Sequence, residues 1–417
     1  MTRHPARNNH QVIIIGGGAS GLAAACICAQ AGLPFLLLEK ENKLGRKLLA
    51  TGNGRCNLLN TGPAVYFGEA GFAGEVLSIC GVPEVSAFFE SLGLTFFEEE
   101  LGRVYPNTRQ AVTVLDCLTA RIAAFHGADV RTGVMVSDLQ QTKGGYAVTT
   151  NTGERFTAPA VILATGSPAA PKLGGSGQMA EGLGRLGHSL HPFFPALCAL
   201  QTQTGPIKGL NGLRVPAYVT LYHDDVPVCA AAGELLYTAY GVSGLCVMQL
   251  ARDAERGLAA GKRVRVGIDL SPLLGIRPVL MRRLALDELT PGENKKAVSQ
   301  LLHARRQALG ADYLYTGLVP HQMVGKLAQL PLTKTADWLT DLRLPVTGTQ
   351  GFEQAQVAAG GVMCEEVDSR TMRSRLLPGL YLCGEMLNVD GDTGGFNLLF
   401  AWATGILAAR DLISQQR

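Results

Sequence analysis

VIIIGGGASGLAAACICAQAGLPFLLLE, residues 12–39, holds four elements in one short run. Val12 to Ile15 is a β-branched apolar run with the profile of a buried parallel strand. It enters Gly16-x-Gly18-x-x-Gly21, followed by an alanine-rich helical segment to Ala31 that Gly32 and Pro34 close. A second apolar strand, Phe35 to Leu38, ends on Glu39. Strand, glycine turn, helix, strand and terminal acid form a βαβ dinucleotide-binding unit, against the plainer alternative of an ordinary glycine turn. Gly16 serves the tight turn, Gly18 lets backbone approach a pyrophosphate, and Gly21 lets helix pack on strand. Ala19 and Ser20 lie in the first helical turn, whose N–H groups and positive dipole end face the phosphates. Glu39, 21 residues after Gly18, is placed to accept from ribose hydroxyls, with Lys40 behind it. A carboxylate there disfavours a 2′-phosphate, so the expected nucleotide is FAD or NAD, not NADP.

The chain has 417 residues, 47% of them hydrophobic and 17% charged, enough for two or three domains with their own cores. A net charge of +3 gives no footprint for nucleic acid. Residues 1–10 carry positive charge without an apolar stretch and read as a disordered tail. No apolar run of membrane-spanning length is evident, so a cytoplasmic protein is expected. The ten cysteines show no CxxC pair and no zinc spacing, which predicts neither a disulfide framework nor a metal site.

After Glu39 comes KENKLGRKLLATGNGRCNLLNTG, residues 40–62, a basic, glycine- and asparagine-rich stretch. A loop leaving the second strand of such a fold can run back over the pyrophosphate. Arg46, Lys47 and Arg55 would neutralise it, and Gly52 and Gly54 permit close approach; a solvated surface loop is the alternative. Residues 75–126 read as helical with a break at Gly102–Pro106. Ala128–Leu139 reads as one strand, and Tyr146–Thr150 continues a small meander. Ala160–Leu163 is a buried strand running into Ala164-Thr165-Gly166, which would bring backbone close to the nucleotide. Gly182-x-Gly184-x-x-Gly187 matches the fingerprint by letter, but no strand feeds it and it lies in a helical pattern.

From His191 the texture changes to short strands to about Leu270, a β-barrel or sandwich interrupted by GELLYTAYGVSG, residues 233–244. Residues 272–347 read as a helical subdomain, and 348–361 as a glycine-rich loop. The expected division is a nucleotide-binding domain of 11–190 and 348–417, an inserted barrel of 191–271 and a helical part of 272–347. Near the C-terminus, the strand at Leu380 ends on Gly384-Glu385, suited to a polyol chain. Gly394-Gly395-Phe396-Asn397-Leu398 opens the last helix. Its positive end suits the N1 and O2 edge of a reduced flavin, where negative charge accumulates; a plain strand–loop–helix is the alternative.

Together with GRVYPNT (102–108) and AAGGV (358–362), these segments resemble the glutathione-reductase-like FAD superfamily. More narrowly, they are similar to bacterial NAD(P)/FAD-dependent oxidoreductases that include aminoacetone oxidases and 3-dehydro-bile-acid Δ4,6-reductases. The motifs span nearly the whole chain in order. The resemblance implies an α/β fold, a Rossmann-like FAD-binding domain with a parallel sheet and small β-meander, interrupted by a β-barrel and a helical subdomain. It implies non-covalent FAD, with Gly16, Gly18, Ser20 and Gly21 on the pyrophosphate and Glu39 on the ribose. Arg46, Lys47, Gly54, Arg55 and Cys56 would lie along the pyrophosphate or isoalloxazine, and backbone of Val136 at adenine. Thr165 and Gly166 would close over the nucleotide, Glu385 would meet ribityl or phosphate-side groups, and Gly395 to Leu398 the ring. Ala239 stands where relatives often carry histidine, so chemistry that such a histidine serves elsewhere is not served at this position.

Hydride transfer through flavin N5 to an activated C=C, with NAD(P)H as a transient donor lacking a Rossmann domain of its own, is the first expectation. Tyr240 is a candidate proton donor and Cys56 a candidate redox thiol, each against a packing role. Oxidation of a small amine or aminoketone by O2 is a second expectation, and a flavin-bearing RNA-modifying or binding protein a third. The expected partner is a small molecule, with no nucleic acid and no membrane; substrate and oligomeric state are not legible.

Overall fold

The computed structural model describes residues 10–276, 283–284 and 294–416. The described residues form two compact units. The first runs to Phe193 and resumes at Val357; the second is Phe194–Gln356.

The first unit is built on a five-stranded parallel sheet. Strand β1 (Val12–Ile15) is central and fully buried. It pairs with β2 (Phe35–Glu39) on one side and Ala160–Leu163 on the other. Leu380–Leu382 extends the sheet beyond Ala160–Leu163, and Ala128–Thr132 extends it beyond β2. Helix α1 (Ala19–Ala31) connects β1 to β2 and ends on Gly32, whose left-handed backbone lets its N–H reach back to Ala29 and Cys28. The C-terminal helix Phe396–Ser414 packs along α1. By length and mean hydropathy this helix passes for a membrane span, but Asn397, Arg410 and Asp411 break its apolar run and 67% of its apolar window is buried inside the protein.

Ala128–Leu139 is not one strand. Gly133, at φ +72, breaks it. Its first half becomes the sheet's edge and its second half opens the three-stranded meander 136–142, 145–150 and 155–158. The stretch 348–361 is not a loop throughout, since Val357–Val362 is a fully buried strand. Gly182–Gly187 falls in and just after the helix Gln178–Arg185. Residues 1–9 of the expected tail lie outside the described residues. His10, counted with that tail, packs its Nε2 3.6 Å from Asp129.

In the second unit, antiparallel pairing runs from Arg214–His223 through Val264–Asp269, Leu342–Thr349, Leu200–Thr202 and Gly241–Ser243 to Val226–Thr238. Val226–Thr238 pairs back onto Arg214–His223, so six strands close into a barrel, and the short strand Arg283–Leu284 also pairs with Val226–Thr238. GELLYTAYGVSG does not interrupt this sheet; it supplies the end of one strand and the next. Residues 342–347, assigned to the helical part, and residues 348–349, assigned to the loop, form one barrel strand in which Leu342, Leu344 and Val346 are buried. The helices Lys295–Leu309, His321–Ala328 and Leu332–Thr340 do fall in that part. Residues 277–282 and 285–293 of it lie outside the described residues.

Candidate cofactor site

The sheet order reverses at β1, because its two neighbours are reached by connections running opposite ways, and such a switch point leaves a crevice at the strand ends. Three strand ends converge there. Ala164 N–H donates to Ile15 O (2.8 Å), and Cys383 N–H to Leu163 O (2.9 Å). Gly16, at φ +107, passes so close that an added Cβ would stand 2.3 Å from Ala164 O; one on Gly21 would stand 1.9 Å from Gly16 O. Both positions require glycine. A Cβ on Gly18 would meet nothing within 4 Å, so the space over the turn is open. The first helical bond is Leu22 N–H to Gly18 O (2.9 Å). The N–H groups before it, of Ala19, Ser20 and Gly21, are those a helix start offers an anion.

Glu39 Oε2 accepts from Gly17 N–H (2.6 Å) and Oε1 from Glu41 N–H (2.8 Å). These bonds shape the turn and leave lone pairs for ribose hydroxyls. Lys40 is partly buried just after it. Val134 N–H donates to Glu39 O (2.9 Å), which draws the chain leading to buried Val136 toward that end of the sheet. Thr165 Oγ1 is buried without a hydrogen-bond partner among the described residues, and Gly166 turns away at φ +72. An orphaned hydroxyl beside an open glycine turn and a helix start fits a dinucleotide.

The basic loop is tied down differently from its sequence reading. Arg46, on α2 (Arg46–Ala50), pairs with Glu41 and donates to Lys172 O (2.9 Å). Lys47 Nζ lies 2.7 Å from Glu385 Oε2, while Glu385 Oε1 accepts from Ala358 N–H (3.0 Å). Two residues expected to meet the cofactor separately are thus ion-paired across 338 residues. Arg55 stacks over Tyr105 at 5.0 Å and donates to Gly52 O. Gly52, Asn53, Gly54 and Cys56 all adopt positive φ; for Asn53 and Cys56 that is strain of the kind binding loops carry. The Cys56 thiol is fully buried, and burial pushes its pKa up to about 12. Burial favours the protonated thiol, which speaks for a packing role over a redox one.

At the other end of the chain, Gly384 meets the opening fingerprint. A Cβ there would stand 2.8 Å from Ser20 Oγ, and its N–H donates to Thr404 Oγ1 (3.0 Å). Gly394 and Gly395, at φ +109 and +108, turn the chain into the last helix. The first bond of that helix is Leu399 N–H to Gly395 O (2.9 Å), so the N–H groups of Phe396, Asn397 and Leu398 head it. The Asn397 side chain is spent on the turn itself, accepting from Gly391 N–H and donating to Gly391 O, both 2.8 Å. Tyr66 OH donates to Phe396 O (2.8 Å), with the rings edge to face.

Three supports were invisible in the sequence. Asn60 Nδ2 donates to Gly394 O (2.8 Å), Trp402 Nε1 to Leu58 O (3.0 Å), and Asn57 sits between the two glycine turns. Their partners are some 330–345 residues away or set by loop geometry, and only the asparagine-rich composition hinted at them. Tyr240 belongs to the second unit, on the turn between Val226–Thr238 and Gly241–Ser243, partly buried, its C=O accepting from Thr202 N–H (3.0 Å). Among the described residues no three His, Cys, Asp or Glu side chains cluster as a metal site.

Residues 10–411 match the family described as "HI0933-like protein Rossmann domain". The 3-dehydro-bile acid delta(4,6)-reductase of Clostridium scindens is 37% identical over 422 residues, covering 96% of this chain and 98% of that protein. The ribosomal RNA dihydrouridine synthase of Escherichia coli is 28% identical over 421 residues, covering 96% and 98%. Among solved structures, the 3-ketosteroid delta1-dehydrogenase of Sterolibacterium denitrificans superposes with a TM-score of 0.51 at 12% identity, covering 98% of this chain and 100% of that one, a likeness of fold alone. With a glycine turn, acid and helix start at one end and a second helix start at the other, the chain belongs to the HI0933-like Rossmann family and is an FAD-dependent oxidoreductase.

Proposed function

We propose that the protein reduces a carbon–carbon double bond conjugated to a carbonyl in a small molecule, with NAD(P)H as a transient donor. The observation that carries this is 37% identity over 96% of the chain to a reductase of 3-dehydro-bile acids. A 3-oxo group conjugated to Δ4,6 double bonds is an enone, and the product name of the more distant relative, dihydrouridine, denotes saturation of a double bond likewise conjugated to a carbonyl. When bound, FAD supplies hydride through N5 and is refilled by the nicotinamide. The chain's own residues supply the rest. The start of α1 holds the pyrophosphate, and Glu39 the ribose. The start of the C-terminal helix, with the N–H groups of Phe396, Asn397 and Leu398, would offer its positive end to the charge that a bound flavin gains on reduction. The β-carbon of the substrate takes the hydride and its α-carbon a proton from a general acid.

Anaerobic stopped-flow tests this. Flavin bleaching by NADH or NADPH, then rapid reoxidation by a 3-oxo-Δ4 steroid, is the expected result. Slow bleaching by both nucleotides with fast bleaching by an amine, and peroxide in air, would establish the amine oxidase instead. A second reading, reduction of uridine in RNA, is favoured by the dihydrouridine synthases at 28% and 25% identity. Reoxidation by a uridine-containing RNA but by no enone would select it.

A further inference from the structure

Arg103 opens the strand Arg103–Pro106 and pairs through its backbone with Asn60. Residues paired directly across two strands share a face, and here both side chains reach the glycine turn before the C-terminal helix. Asn60 Nδ2 donates to Gly394 O (2.8 Å). The Arg103 stem lies against Gly394 itself, where an added Cβ would stand 3.7 Å from Arg103 Nε and 3.9 Å from its Cγ. Gly395, the next residue, is the N-cap of the helix Phe396–Ser414. Other cations of the first unit are already matched. Arg46 pairs with Glu41, Lys47 with Glu385 and Arg109 with Glu99, and Arg55 stacks on Tyr105. The Arg103 guanidinium has no acceptor, carboxylate or ring as partner among the described residues. The residue is half-buried, yet its side-chain nitrogens keep accessible surface, so an incoming acceptor can reach them.

A cation beside a helix N-terminus brings like charges together, which is unfavourable until an anion joins them. Reduction of a flavin supplies that anion, because negative charge gathers on N1 and O2. These are two adjacent acceptors, a match for the parallel N–H groups of a guanidinium. We infer that Arg103 binds the N1–C2=O2 side of the flavin, adds its charge to that of the helix start and raises the reduction potential of the cofactor. The inference rests on the assignment of that helix start to the flavin, and not on the identity of the substrate.

The test reads the midpoint potential of the FAD-loaded protein against reference dyes, with no substrate present. Arg103→Gln keeps polar reach without charge, and lowers the potential by about 30 mV or more, a tenfold loss of preference for the reduced flavin in a two-electron couple. Arg103→Lys keeps the charge and stays nearer to wild type. In wild type the paired positive charges keep N1 deprotonated, so two electrons bring one proton and the potential falls by about 30 mV per pH unit from pH 6 to pH 8. Circular dichroism verifies that each variant folds. An unshifted or raised potential in Arg103→Gln overturns the inference, as does an equal loss in Arg103→Lys. Should Arg103→Gln not fold or not hold FAD, the wild-type slope decides: about 59 mV per pH unit near pH 6, two protons for two electrons, overturns the inference. Tight FAD binding with an unshifted potential refutes only the role of Arg103, whereas wild type that takes up no FAD refutes the cofactor site as a whole.

Discussion

Both oxygens of Glu39 already accept main-chain N–H bonds, from Gly17 and Glu41, so the carboxylate organises the glycine turn before any nucleotide arrives. Removing it unsatisfies the turn and takes away the proposed ribose acceptor together. Charge-assisted bonds of this kind contribute about 1.5–3 kcal/mol each. Glu39→Ala is expected to weaken FAD binding by roughly ten- to a hundredfold, read from flavin fluorescence during titration of apoprotein; an unchanged Kd would remove Glu39 from the site. Cys56 makes a contrasting case. With its thiol pushed to about 12 by burial, native protein should leave it unalkylated by iodoacetamide at pH 8, and only unfolded protein should carry the label by peptide mass spectrometry. Fast labelling of the folded protein would restore it as a reactive thiol.

Helix α1 and the C-terminal helix approach so closely that a Cβ on Gly405 would stand 2.2 Å from Ser20 O, a backbone atom that cannot swing aside. Gly405→Ala should therefore lower stability by about 1–3 kcal/mol, seen as a lower urea midpoint, and loosen FAD because Ser20 lies in the phosphate-facing turn. An unshifted midpoint would mean that the helices part at no cost. A second joint lies beside the strand that begins at Leu190: buried His188 bonds Glu366 through Nδ1 and Ser374 through Nε2, each at 2.9 Å. Burial alone would raise the Glu366 pKa, but hydrogen bonds from Ser189 and His188 hold it below its ordinary value of 4.5. Its contribution is therefore complete above pH 4.5 and is lost as pH falls through the lowered folded value. Glu366→Gln should flatten the acid limb of the stability curve below that pH; an acid limb identical to wild type would show that the bond to His188 is idle. The βαβ opening was legible because its period, glycines and acid are all local. The break at Gly133, the barrel strand Leu342–Thr349 and the buried strand Val357–Val362 were not. Short strands lack the length to distinguish themselves from helix or loop, and partners far away in sequence determine their pairing. Within the candidate site, the backbone turns were legible where they demanded glycine, as at Gly16 and Gly21. The Lys47–Glu385 pair and Asn57 were not, since no local pattern encodes a partner 338 residues away or an orphaned oxygen.

Across the whole molecule the ten cysteines carry a consequence for pH. Burial pushes Cys26, Cys28, Cys56 and Cys246 up to about 12, and Cys80 and Cys198 to about 11, from an ordinary 9.0. Both units contain such thiols, four in the first and two in the second. A raised folded pKa means that the folded chain keeps its proton where the unfolded chain has lost it. The stabilisation is complete below pH 9 and is lost as pH rises from 9 toward the folded values. Each such thiol then costs up to about 1.4 kcal/mol per pH unit, and with Cys364 and Cys383, which burial also raises, eight acting together should make the alkaline limb steep. Urea midpoints measured at pH 8, 9 and 10 in reductant should fall over the first step and about three times as far over the second. Cys28→Ala removes one titrating group from the centre of α1 and should reduce that second drop by one thiol's share, whatever it does to stability at pH 8. A wild-type midpoint level from pH 8 to 10 would mean that these thiols ionise as readily in the folded chain as in the unfolded one, and that the core around α1 admits water.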